Sequence, residues 1–300
     1  MNYFVEGLQG SGKSTLVQRL SELNPDCTAV REGDYSPVEL AWCAYMNEDK
    51  YKEILDKYSD IRSEIEKKTH SEGDKRIVCY TQIITDISGF HKDLERYEIY
   101  NNRASYSDFK SIILKRYNDW SRSTGTNEES GTAADADMNA KSNIEADLMQ
   151  NMIFECSLFQ NIVEDMILFK CASDDEIIEF YKDIRAALEG NASPDVNSDA
   201  CKKDYHIFYL KAEDVRGNLE VIRKERSDDQ GNELWFPLMM GYFKECPYSK
   251  KMGFGSEDDL IRHFIHRQEL ELRICRKVFP DKHTVLISKK YNDEDIRYDS

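Results

Sequence analysis

Eight residues near the start of the chain, Gly7-Leu8-Gln9-Gly10-Ser11-Gly12-Lys13-Ser14, set two glycines five apart with a lysine and a hydroxyl residue following. This G-x-x-x-x-G-K-[ST] spacing is what a backbone needs to wrap a run of phosphates. The glycines permit close turns, and successive N–H groups at the start of a helix point at phosphate oxygens. Lys13 is expected to reach the β- and γ-phosphates, and Ser14 to offer its hydroxyl to Mg²⁺. Gly7, Gln9, Gly10, Ser11, Gly12, Lys13, Ser14 and Thr15 are the expected nucleotide-binding set. Average residue usage would produce the pattern in a chain of this length about once in a hundred.

The motif requires a strand before it and a helix after it, and the flanking residues supply both. Asn2-Tyr3-Phe4-Val5-Glu6 is a short apolar-rich run, and Leu16, Leu20 and Leu23 recur at helical spacing until Asn24-Pro25 stops the helix. Cys27 to Arg31 offers a second strand. Residues 38 to about 120 read as an inserted, mostly helical region, with one strand-like run at Arg76–Tyr80. Between Ser121 and Ala140 hardly any large apolar residue appears, so a mobile surface loop is expected there. Asn151–Glu155, His206–Leu210 and Thr284–Ile287 read as further strands. The 189–202 segment is a polar connector, and Asp214 to Arg226 forms a helix with Val215, Leu219 and Ile222 on one face. Ser256 caps a last long helix, with Asp259 three residues on. Strands separated by helices imply a parallel sheet covered on both faces, with no internal repeat.

Composition limits the partners. The charge balance of 41 basic against 57 acidic residues gives −16, which repels polynucleotides and anionic membranes. Met1 to Leu8 reads as a buried strand and not as a cleavable leader, and no apolar run approaches the roughly 20 residues of a membrane span. A cytoplasmic location is therefore expected. The eight cysteines show no C-x-x-C pair, so neither a zinc site nor a disulfide framework is indicated, and most should be small buried residues. His263 and His266, three apart on a helix, fit a solvated face better than a metal site.

The stretch Glu6-Gly7-Leu8-Gln9-Gly10-Ser11-Gly12-Lys13-Ser14-Thr15 resembles the opening of the thymidylate kinase and deoxynucleoside kinase families, strictly over some ten residues. The resemblance implies a three-layer P-loop NTPase fold with a parallel five-stranded sheet, a helical insertion and an arginine-bearing lid, with ATP and Mg²⁺ as ligands. It also implies an acidic residue after the second strand facing the phosphoryl acceptor. In Arg31-Glu32-Gly33-Asp34-Tyr35-Ser36-Pro37-Val38-Glu39-Leu40-Ala41-Trp42, Glu32 and Asp34 are both candidates for that base. These kinases carry an acid-arginine pair just beyond the third core strand. Here Phe154-Glu155-Cys156-Ser157 keeps the acid, so Glu155 is expected near the metal, while Cys156 departs from the arginine. Arg223 and Arg226 share a helix face and resemble lid arginines, which suit this work because a guanidinium stays charged and binds two oxygens. Tyr80, Gln82, Arg96, Tyr97, Tyr100, Arg103 and Tyr106 lie where related kinases build the acceptor pocket.

The expected organisation is a single domain over 1–300. It holds the insertion at about 38–120, the loop at about 121–140 and the lid at about 214–234. The expected activity is ATP- and Mg²⁺-dependent phosphoryl transfer to a small nucleoside- or nucleotide-like acceptor, with no nucleic acid or membrane partner and a homodimer compatible with the sequence. The alternative is an ATP-binding regulatory protein without acceptor chemistry. A guanine-specific switch is disfavoured because no Asn-Lys-x-Asp element occurs.

Overall fold

The computed structural model describes residues 1–123, 151–190 and 203–297. The loop expected at 121–140 lies outside them from residue 124 onward, as does the connector from 191 to 202. Ser121 and Arg122 instead close a helix.

Five strands form one sheet: β1 (Asn2–Gly7), β2 (Cys27–Val30), β6 (Asn151–Glu155), β7 (Tyr205–Lys211) and β8 (His283–Ile287). Their spatial order is β2-β6-β1-β7-β8 and every pairing is parallel. β1 is buried along its whole length, as a central parallel strand must be when both faces are covered. Alternation sends its side chains to two different cores. Phe4 stacks on Phe154 at 4.9 Å, with Trp120 edge-on to both. Tyr3 and Val5 point the other way, into a smaller cluster with Leu16, Val17 and Leu20 of α1 (Lys13–Leu23). The larger core is built with α5 (Tyr106–Arg122), α6 (Gln160–Leu168), α7 (Asp174–Leu188) and α11 (Glu257–Val278). The chain is thus α/β, with helices on both faces of an all-parallel sheet. Asp214 caps α8 (Val215–Glu225), which buries Val215, Leu219 and Ile222. A Ser227↔Glu233 bridge leads on to α9 (Trp235–Glu245) and α10 (Pro247–Met252).

The 38–120 region is less helical than its pattern suggests. Besides α2 (Glu48–Lys57), α3 (Arg62–Lys67), α4 (Phe90–Glu95) and α5, it holds an antiparallel sheet of order β3-β5-β4, from β3 (Ala44–Asn47), β4 (Thr69–Glu72) and β5 (Lys75–Val78). Only β5 overlaps the run that reads as strand-like. The other two have four residues each, and Thr-His-Ser-Glu carries no apolar alternation to mark it. The Gly73-Asp74 turn and the pairing of Glu72 with Lys75 make β4 a strand, which is a cross-strand property.

A buried carboxyl ties two parts of this region together. Glu39 accepts the Ala41 N–H at 2.7 Å and the Tyr100 hydroxyl. Burial pushes its pKa up to about 8, against the lowering effect of those bonds. Because the folded form holds this proton more tightly than the unfolded chain does, the site's contribution to stability is full below about pH 4.5. It is lost as pH rises through about 8. Between pH 6 and 9 the melting temperature is expected to fall by a few degrees more in the wild type than in Glu39→Gln. Parallel curves for the two proteins would contradict the assignment.

Candidate active site

The Gly7–Ser14 loop leaves the C-terminal end of β1 and enters α1 through Gly12, whose φ of 91° makes it a left-handed cap. Gly10 adopts φ +71, and a Cβ built on it would meet the Ile222 side chain at 2.3 Å, so the loop and α8 approach as closely as glycine allows. Lys13 is buried and donates back to the carbonyls of Gly7 at 3.0 Å and Leu8 at 2.8 Å. The Ser11 hydroxyl is buried with no hydrogen-bond partner among the described residues. An orphaned donor, a curled lysine and a helix N-terminus stand within three residues of one another on this loop, and that donor set fits a polyphosphate.

The Ser14 hydroxyl donates to Glu155 Oε1 at 2.5 Å, joining residues 141 apart in sequence. The pair arises because α1 starts beside the end of β6, where Val5 and Glu155 are in register. Hydroxyl and carboxylate side by side are the oxygen donors a hard divalent cation takes, so these two residues suit Mg²⁺. Thr15 is the next residue along α1. Behind them Glu6, on β1, accepts the N–H groups of Leu158 at 2.7 Å and Gln160 at 3.3 Å, tying the sheet to the start of α6. Burial raises its pKa to about 7.

Beside the loop lies a cavity of about 360 Å³, within the size range of small-molecule sites. Its wall includes Gln9 from the loop, Glu32 and Trp42 from the turn after β2, Gln160 from α6, and Trp235 and Tyr242 from α9. Glu32 accepts the Gln160 amide at 3.1 Å and the Trp42 indole N–H at 3.4 Å, and its other oxygen lies 3.9 Å from the Cys156 thiol. Asp34 does not line the cavity. It accepts the Arg31 N–H at 2.9 Å and the Gln82 amide at 3.0 Å, so its role is to close the turn that presents Glu32. A displacement of two residues around a Gly33 at φ 91° reverses the direction of the side chain.

The two lid candidates separate in the same way. Arg226 lines the cavity, with its guanidinium 5.2 Å from the Trp235 ring centroid. Arg223 turns away, paired with Glu233 at 2.8 Å and Glu257 at 3.1 Å and resting 4.0 Å above Phe236. Here Arg223 shapes the segment and Arg226 faces the cavity. Arg226→Ala is expected to lower turnover by about 10²–10³-fold, as loss of one charge-stabilising donor does, and Arg223→Ala by far less unless the segment itself unfolds. Steady-state rates of the two variants decide this. Equal losses would return both arginines to the same role.

Of the acceptor-pocket candidates, only Tyr100 reaches the cavity. Tyr80 and Arg103 hold Glu98 of its wall, at 2.6 and 2.8 Å, while Gln82 serves the Gly33–Asp34 turn. Arg96 and Tyr97 line a separate surface groove, and Tyr106 starts α5 against Lys110. Gln160, Glu164, Asp165 and the Trp235–Tyr242 face of α9 also line the wall, and nothing in the sequence pattern singles them out. Arg267 escapes the pattern too, although it is fully buried and joins Gln9 Oε1 at 2.8 Å to Glu164 at 2.5 Å. A charged residue on the apolar face of a long helix was the available signal. His263 likewise is buried against Glu164 at 3.1 Å and not solvated, and His266 binds Asp174. Among the described residues no cluster of metal-ligand type forms and no helix is long and apolar enough to cross a membrane. Comparison of the chain with protein-family models gives no match, and comparison with curated proteins gives no significant one.

Proposed function

We propose that this protein is a small-molecule kinase that uses ATP and Mg²⁺ to phosphorylate a hydroxyl of an acceptor held in the 360 Å³ cavity. The observation that carries this reading is the placement of Glu32 on the cavity wall with its carboxylate 3.9 Å from the thiol of Cys156, the residue after the Glu155 that meets Ser14. A carboxylate free to orient an acceptor hydroxyl thus adjoins the residues suited to triphosphate and metal. Lys13 is released from the Gly7 and Leu8 carbonyls to meet phosphate oxygens, and the Gly10–Ser14 N–H groups complete the cradle. Mg²⁺, held by Ser14 and Glu155, would neutralise phosphate charge. Glu32, oriented by Gln160 and Trp42, accepts the acceptor's proton, and Arg226 brings positive charge to the same cavity.

Charge balance favours an uncharged acceptor over a phosphorylated one. Four carboxylates line the cavity, and three have cations behind the wall: Glu98 with Arg103, Glu164 with Arg267 and Asp165 with Lys170. Glu32 and Arg226 form no ion pair among those of the described residues. One arginine is a thin provision for an acceptor phosphate, whereas the rings of Trp42, Tyr100, Trp235 and Tyr242 suit a planar base. A nucleoside-like alcohol satisfies both. ADP release from ATP and Mg²⁺ against a panel of nucleosides, nucleotides and other hydroxylated metabolites tests the reading. Acceptor-stimulated release by a nucleoside, absent in Lys13→Ala, is the expected result. ATP binding with no acceptor effect across the panel would leave a regulatory nucleotide-binding protein.

A further inference from the structure

The small sheet beside the cavity brings two cysteines together. One step beyond the Ala44↔Val78 pair of β3 and β5, the antiparallel register sets Cys43 opposite Cys79. Both are buried, and their sulfurs lie 3.5 Å apart, with the Cys43 thiol donating to Cys79. Directly opposed residues of an antiparallel pair have Cα atoms about 4.5–5.5 Å apart, inside the range that a disulfide spans. The remaining cysteines among the described residues show no such pairing. We propose that Cys43 and Cys79 are a redox modification site, converted by hydrogen peroxide to an intramolecular disulfide that reshapes the mouth of the cavity.

The two thiols are unequal in the way this chemistry needs. The hydrogen bond from Cys43, and after it the neighbouring His70, draw the Cys79 pKa down, while Cys43 is pushed up. Because the Cys43 thiol donates to the Cys79 sulfur, Cys79 is assigned as the nucleophilic thiolate and Cys43 as the resolving thiol. Cys79 sulfur attacks one peroxide oxygen and the O–O bond breaks, leaving a sulfenic acid and, after protonation, water. Cys43 sulfur then displaces the sulfenic oxygen as a second water. In total two thiols and one peroxide give one disulfide and two waters, each sulfur losing one electron. Burial of both sulfurs selects an oxidant this small over glutathione disulfide.

The consequence reaches the cavity through the residue next to each cysteine. Cys43 follows Trp42, which holds φ 63°, is about half exposed and donates to Glu32. Cys79 precedes Tyr80, which holds Glu98. Contracting 3.5 Å to the roughly 2.05 Å of a disulfide turns both cysteine side chains and ties together the segments that carry Trp42 and Tyr80.

The test uses the full-length protein and does not depend on the kinase reading. After treatment with hydrogen peroxide, denaturation and alkylation, unreduced digestion is expected to yield one linked peptide pair carrying Cys43 and Cys79, lighter by about 2 Da than its reduced halves. Dithiothreitol should reverse it, and in Cys43→Ser the Cys79 sulfenic acid should persist and be trapped by dimedone. Recovery of both residues alkylated while Cys27 or Cys171 is oxidised would overturn the proposal, as would a wild-type Cys79 that stops at the sulfenic acid. Tryptophan emission should change on oxidation and return on reduction, and Trp42→Phe should remove the change. A linked pair with no Trp42-dependent change would refute the effect on the cavity.

Discussion

Lys13→Ala is expected to reduce acceptor-stimulated ADP release by about 10³-fold, since it removes a preorganised positive charge from the phosphates undergoing transfer. The side chain is buried, and among the described residues its amine donates to the Gly7 and Leu8 carbonyls at the loop itself. The residue lies in the first turn of α1, where alanine is a good helix former, so the fold should persist. Loss of turnover with an unchanged melting temperature is the expected combination. If the rate fell less than tenfold, the loop would not be handling the transferred phosphate, and the kinase reading would fail with it.

Glu32→Gln should lower the turnover number by about 10²–10⁴-fold, the range for removing a general base, while leaving nucleotide binding near its wild-type level. Glutamine keeps the shape and can still meet Trp42 and Gln160, so a loss confined to turnover isolates proton transfer from packing. Asp34→Asn provides the contrast. Its side chain faces Arg31 and Gln82 and not the cavity, so activity should stay within about twofold of wild type, as for other exposed substitutions. Turnover numbers and nucleotide affinities of both variants, measured side by side, settle which acid works. The reverse order would mean that the turn reorganises when substrates bind.

Local chemistry makes the Gly7–Ser14 loop legible from residue types. Its backbone path needs glycine where φ is positive, and lysine and serine where a helix begins. The same holds for the capping box of Ser256 with Asp259 and for the central strands, whose apolar runs mark burial on both faces. Sheet order, the cross-strand partner of Thr69–Glu72 and the cavity wall depend on segments far apart in the chain, and no window of sequence contains them.

The α/β class, the five strands of the parallel sheet and the loop that opens α1 were therefore written in the order of residues. Each follows from periodicity or conformational preference within a dozen positions. Folding of the whole chain was needed to place Glu32 and not Asp34 on the cavity, to bring Arg226 into it while Glu233 and Glu257 hold Arg223, and to tie Gln9 to Glu164 through Arg267. The meetings of Ser14 with Glu155 and of Cys43 with Cys79 belong to the same group. The physical reason is common to all of these: a side chain's direction is set by the turn that carries it, and its partner by the register of strands and helices that come together only when the core closes.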